Sequence, residues 1–136
     1  LGVNYVDINF YSRFKNNVDI YTKCIIRYPQ SIASFQVGLG VKSEGSMVIA
    51  GTKGYIYIPA PWWKTEFFEA RYEDLNKNRK YFYPYEGEGL RYEIKEFVSC
   101  IMNPNKISFK LTKEEVLSII RVQELFIKDS KSIYRI

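Results

Sequence analysis

A chain of 136 residues is sized for one domain and can bury roughly two-thirds of the surface it exposes when unfolded. Its 46% hydrophobic and 17% aromatic content, with 12 Tyr and 9 Phe, excludes a disordered polymer and points to a strand-rich globular protein. The complete absence of His excludes Ser-His and Cys-His nucleophilic catalysis, HExxH zinc chemistry and the imidazole proton shuttle, while the net charge of +5 leaves two readings open, an anionic partner or a solvated surface with a mild excess of lysine.

The first two-thirds of the chain read as strands. "NYVDINFYSRF" alternates, with Tyr5, Asp7, Asn9 and Tyr11 on one face and Val6, Ile8 and Phe10 on the other. "KNN" supplies a turn, and "VDIYTKCIIRYP" runs extended to Pro29, where a strand should end. "SIASFQVGL" sets Ala33, Phe35, Val37 and Leu39 against Ser34 and Gln36. "GSMVIAGTKGYIYIP" is the strongest hairpin signal, two alternating runs hinged between Gly51 and Gly54. "TEFFEARYE" and "KYFYPY" predict two further strands joined by the polar turn "DLNKN".

The last third reads as helix. From Glu88 to Met102, the residues Leu90, Ile94, Phe97, Val98 and Ile101 recur at helical spacing and "MNPN" ends the run. A second helix opens at Thr112, with Glu115 three residues later forming a capping box, and carries Val116, Ile119, Ile120 and Leu125. Strands followed by helices predict an α+β fold: a large open, mostly antiparallel sheet of about seven strands with the C-terminal helices on one face. The other face then carries too much aromatic and β-branched surface to be left facing water, and is expected to meet another subunit or a further domain.

Cys24 and Cys100 are too few and too far apart for a disulfide framework or a CxxC site, which makes a reduced, cytoplasmic setting the expectation. No apolar run approaches the ~18 residues of a membrane span, and no signal-peptide pattern opens the chain. There is no GxGxxG after a strand and no GxxxxGK[ST]; the glycines of "VGLGVKSEG" lie between strands and offer no helix N-terminus to a phosphate. Glu86, Glu88 and Glu93 suit either paired acid–base work or the start of a helix dipole, with the second preferred. The aromatic run "YFYPY" beside Lys and Arg suits base stacking or an interface strand; no nucleic acid and no membrane partner is expected. No catalytic, cofactor-binding or metal-binding constellation emerges from the residues alone.

Three patterns in order, "GSMVIAGTKGYIYIPAPWW", "YEGEGLRYEIKEFVSCI" and "LTKEEVLSIIRVQELF", resemble the C-terminal domain of the glucose–fructose oxidoreductase, inositol dehydrogenase and MocA family, in its dihydrodiol-dehydrogenase-like or sugar-dehydrogenase branch. The resemblance spans roughly residues 4 to 128. It implies that residues 1–136 form a substrate-binding and oligomerisation domain, a homo-oligomer forming through the open sheet face. An N-terminal Rossmann domain, absent from this chain, would bind NAD or NADP and hold the catalytic lysine and the acid–base residue. The function implied is hydride transfer on a sugar or a related polyol or diol, the domain alone being inactive.

Within that resemblance the loop "APWWKTE" falls where related enzymes place an aromatic wall near the substrate. Trp62 or Trp63 then stacks on a sugar ring or flat diol, or one or both simply cover a strand edge. Lys53 and Arg91, next to glycines, are candidates for contacting an anionic substrate, with a solvated surface charge as the alternative. Tyr83 and Tyr85 either line the same pocket or pack at an interface. The competing function is a non-catalytic binding module that holds a ligand or a protein through an exposed sheet face and the aromatic loop.

Overall fold

The computed structural model describes residues 4–84, 86–103, 108, 110–128 and the backbone of 133–135. They gather into two compact units: Leu1–Lys42 with Ser108–Ile136, and Ser43–Ile107. The class is α+β. No helix among the described residues is long and apolar enough to cross a membrane.

In the first unit, β1 (Asp7–Lys15), β2 (Val18–Arg27) and β3 (Ile32–Val37) form an antiparallel meander, and a short β8 (Ile133–Arg135) adds to β1 in parallel, giving the order β3-β2-β1-β8. The turn between β1 and β2 is set by two residues: Lys15 pairs with Val18, and Asn16 and Asn17 both take positive φ, 51° and 62°. Asn tolerates that left-handed region, and a two-residue loop with both centres there matches the twist of the strands it joins. Alternation then sorts the sheet. Ile8, Phe10 and Ser12 of β1 share a face with Thr22, Cys24 and Ile26 of β2, and with Ala33, Phe35 and Val37 of β3.

α2 (Lys113–Lys128) lies over that face, with Val122, Leu125 and Phe126 against the buried cluster Ile8, Phe10, Cys24 and Ile26. The Phe10 and Phe126 rings meet edge to face at 5.1 Å. The capping box is present: the Glu115 N–H donates to Thr112 Oγ1 at 3.2 Å and the Thr112 N–H to Glu115 Oε2 at 2.7 Å. The Thr112 N–H and then its hydroxyl, both donating to the carboxylate, favour the charged form of Glu115 and hold its carboxyl below the usual range.

The second unit contains β4 (Met47–Gly51), β5 (Gly54–Ile58), β6 (Phe67–Arg71) and β7 (Arg79–Phe82), an antiparallel sheet in chain order, followed by α1 (Leu90–Met102). The single sheet of about seven strands is therefore corrected to two sheets. Hairpin signals settle which neighbouring strands pair, but β3 and β4 are joined by residues 38–46, which do not form a hairpin. Gly40 instead turns back, its N–H donating to the Ile20 carbonyl of β2 at 2.9 Å. A β-carbon at Gly38 would lie 3.0 Å from that same oxygen, so the close approach depends on glycine. β8 has no counterpart in the sequence reading, because three residues are too few for a periodicity to show.

α1 ends as its sequence suggests: Asn103 follows it and donates from Nδ2 to the Ser99 carbonyl at 3.1 Å. Its predicted apolar stripe lies exposed along Leu90, Ile94, Phe97, Val98 and Ile101.

Candidate functional site

The "GTKG" hairpin closes on a two-residue loop, Thr52–Lys53, because Gly51 and Gly54 pair directly. A β-carbon at Gly54 would collide with the Arg71 carbonyl of β6, so the backbone of β5 can approach β6 at this point only without a side chain. Beyond the other end of β5 the chain passes through a cis Ala60–Pro61 bond into one 3₁₀ turn, Trp62–Lys64. Two backbone bonds hold that turn: Trp62 N–H to the Gly45 carbonyl, 2.8 Å, and Lys64 N–H to the Pro61 carbonyl, 2.9 Å.

The two indoles stand at 89° with centroids 5.9 Å apart, forming a corner. Trp62 is 45% exposed and Trp63 67% exposed. Trp63 lies over Gly45, at van der Waals distance from where a β-carbon there would sit. Lys64, absent from the predicted site, clasps the loop to the segment before α1, with Nζ 3.0 Å from Glu88 Oε1 and 3.4 Å from Oε2. Both groups are exposed, so the pair fixes position more than it adds stability. Glu88 in turn accepts the Arg91 N–H on its carbonyl at 3.3 Å.

Tyr83 is at the same end of the sheet as the tryptophans: its N–H donates to the Glu66 carbonyl at 2.7 Å, just past the 3₁₀ turn. Its ring stacks on Phe68, 5.9 Å and 2° from parallel, and Phe68 stacks on Tyr81 at 5.0 Å. Arg91 is in the first turn of α1, but its guanidinium is committed locally, donating to the Glu86 carbonyl at 2.9 Å beside the Glu86 carboxylate at 3.5 Å. Tyr92 completes that hook, accepting the Glu86 N–H at 2.9 Å. Lys53 is at the opposite end of β5 from the tryptophans, a strand of five residues or roughly 15 Å away along its axis. Tyr85 lies outside the described residues. Trp62, Trp63 and Tyr83 thus share one end of the sheet, Arg91 is near through Glu88, and Lys53 is apart.

The strand register divides the sheet into two unlike faces. One carries Tyr55, Tyr57, Phe67, Phe82, Glu69, Arg71 and Lys80. There Arg71 bonds Glu69 at 2.6 Å and lies 4.6 Å from the Tyr57 ring centre, and Lys80 lies 3.5 Å from that of Phe67. Hydrogen bonds that Arg71 donates to the Tyr55 hydroxyl and then to the Glu69 carboxylate hold its pKa above the ordinary value. The opposite face carries Ile49, Ile56, Phe68, Ala70 and Tyr81 and no charged group other than Arg79 at its edge.

Elsewhere, the two thiols are free. Cys24 is fully buried and burial pushes its thiol up to about 11, so it remains protonated at neutral pH as a core residue. Among the described residues no group of three His, Cys, Asp or Glu side chains is placed to hold a metal. What the second unit brings together is two ring faces, an ion pair and a stacked aromatic row, groups suited to holding a ring-shaped polar ligand. The chain matches no model of a known protein family and no curated protein sequence.

Proposed function

We propose that this chain is the substrate-binding and oligomerisation domain of an NAD(P)-dependent oxidoreductase that resembles the glucose–fructose oxidoreductase, inositol dehydrogenase and MocA family and acts on a sugar or related polyol. The observation that carries the reading is the exposed right-angled corner of Trp62 and Trp63 on a loop anchored at both ends. One indole face stacks on the C–H face of a pyranose or cyclitol, and the indole N–H groups and the Lys64–Glu88 pair meet its hydroxyls. Nicotinamide held by a separate Rossmann domain would supply the hydride donor or acceptor for the substrate carbinol carbon, and that domain's lysine and acid–base residue would take the hydroxyl proton on oxidation or return it on reduction. Free thiols suit a reduced, cytoplasmic setting. The apolar sheet face of Ile49, Ile56, Phe68 and Tyr81 supports a symmetric dimer through that surface.

Because the chain's only two tryptophans both lie in this loop, fluorescence excited selectively in the indole band, beyond the absorption of the 12 tyrosines, reports on the site alone. Titration with glucose, xylose, myo-inositol and sorbitol should give a saturable change for at least one ring-form ligand, lost in Trp63→Ala. The same chain titrated calorimetrically with NAD and NADP should take up neither appreciably. Micromolar dinucleotide binding would overturn the division of labour, and no sugar response at 50-fold excess over a ~1 mM affinity would overturn the site. The half-exposed apolar face also favours a second reading, a non-catalytic module that holds a protein partner; sugar-independent behaviour together with a stable hetero-complex would select it.

A further inference from the structure

The first unit contains a cleft unrelated to the tryptophan loop. Between α2 and the sheet lies an open cavity of ≈ 400 Å³ whose apolar walls are Phe10, Phe35, Val37, Val122, Phe126 and Ile127, with Gln123 of α2 also on its lining. One carboxylate, Asp19, enters this apolar space, beside the hydroxyl of Thr22.

Strict alternation would not put Asp19 there. Thr22 faces the core, so in a regular strand Asp19, three residues earlier, would face away from it. The ladder slips between Arg13 and Phe14: Arg13 pairs with Tyr21, and Phe14 pairs with Asp19, leaving Ile20 as the extra residue. This bulge turns Asp19 onto the same face as Thr22 and Phe10. The carbonyl of Ile20 that it frees accepts the Gly40 N–H at 2.9 Å, and the absent side chain of Gly38 admits the approach. The bulge is therefore held from both strands and from the loop after β3.

Behind Asp19 runs a short polar chain. Thr22 Oγ1 is 3.4 Å from Asp19 Oδ2 and 2.9 Å from Ser12 Oγ, and both hydroxyl residues are buried. The bond to the carboxylate is long, and a carboxylate offers about four acceptor positions, so Asp19 keeps capacity for a further donor. No ion pair to Asp19 is present among the described residues. A half-buried anion in an apolar pocket is satisfied best by a ligand that brings its own positive charge and N–H donors. The three phenylalanines specify the rest of that ligand, a flat apolar body. A pocket of this volume accommodates one small molecule and a few precisely placed polar contacts.

We infer that this cleft is a binding site for a small organic amine with an aromatic body, its ammonium on Asp19 and its ring among Phe10, Phe35 and Phe126. The inference is independent of the sugar-site reading, since none of these residues belongs to the unit that carries the tryptophans. The test is an NMR titration of the ¹⁵N-labelled chain with tryptamine, with uncharged 3-methylindole and with anionic indole-3-propionate. Tryptamine should saturate shifts at Asp19, Thr22, Phe35 and Val37 and bind at least tenfold tighter than indole-3-propionate. Asp19→Asn should weaken tryptamine at least tenfold and leave 3-methylindole unchanged. If Asp19→Asn does not fold, Val37→Trp, at an exposed edge-strand position, fills the cleft and must abolish tryptamine binding. Equal affinity for the amine and the acid, unchanged tryptamine binding in either folded variant, or no saturable shift in the first unit would each overturn the inference.

Discussion

The two units place similar strand sequences in opposite circumstances. Ile8, Phe10, Cys24 and Ile26 in the first are all under 10% exposed, whereas no described residue of the second is buried. Both sheets pair correctly, and both alternate. The difference is a cover: α2 lies on the first sheet, while the apolar stripe of α1 stays exposed and the apolar face of the second sheet is at most half-buried. Strand pairing and burial are thus separable. The second sheet relies on cross-strand rings and charges, each worth about 0.2–1 kcal/mol, while each core side chain of the first contributes about 1.5–3 kcal/mol by leaving water.

The sharpest way to break this contrast is a matched pair of truncations. Phe10→Ala should lower stability by about 3–5 kcal/mol in a denaturant melt, whereas Ile49→Ala, already 52% exposed, should stay within about 0.5 kcal/mol at dilute protein. If Ile49→Ala costs as much as Phe10→Ala, and costs more as protein concentration rises, the second sheet is covered by another copy in solution. Sedimentation at micromolar concentration reads that directly.

A change expected to act on the second unit alone is Gly54→Ala. The new β-carbon would collide with the Arg71 carbonyl, and relieving that clash should cost about 1–3 kcal/mol. Hydrogen exchange should accelerate at the amides of β5 and β6 while those of β1 and β2 keep their protection. Loss of protection in both sheets together would show that the units unfold as one.

The first unit's core also has a pH signature. The folded state holds the Cys24 thiol at about 11 against an ordinary value of 9.0, so the native chain favours the protonated form. Its contribution is complete below about pH 9 and is lost as pH rises through about 11. Plotted against pH, the stability difference between wild type and Cys24→Ala should be flat to pH 9 and shrink above it. A difference that stays constant to pH 11 would mean the thiol is not desolvated.

The smallest effect belongs to the tryptophans. Trp62→Ala and Trp63→Ala should each change stability by no more than about 0.5 kcal/mol, since both rings are more than 40% exposed. A loss of several kcal/mol from both, with no change in sugar response, would make the pair a structural plug.

Much of this molecule was legible in one dimension. The seven antiparallel strands, the asparagine turn, the "GTKG" hinge and the Thr112–Glu115 cap all depend on neighbours in sequence, and alternation, left-handed turn residues and side chains one helical turn apart are local properties. The same signals placed Trp62 and Trp63 in a loop after the hairpin but left open whether the rings are exposed or cover a strand edge. Sequence did not determine which edges pair beyond a hairpin, because a strand edge presents the same backbone groups to any partner; hence one expected sheet became two, and β8 went unseen. Nor did it place Lys53 apart from the tryptophans or commit Arg91 to Glu86, since closeness along the chain says nothing about opposite ends of a strand. The clearest case is Asp19. Its sequence position puts it on the solvent side of β2, and only the tertiary structure, by slipping the ladder one residue at Ile20 and holding the freed carbonyl with Gly40, turned that carboxylate inward.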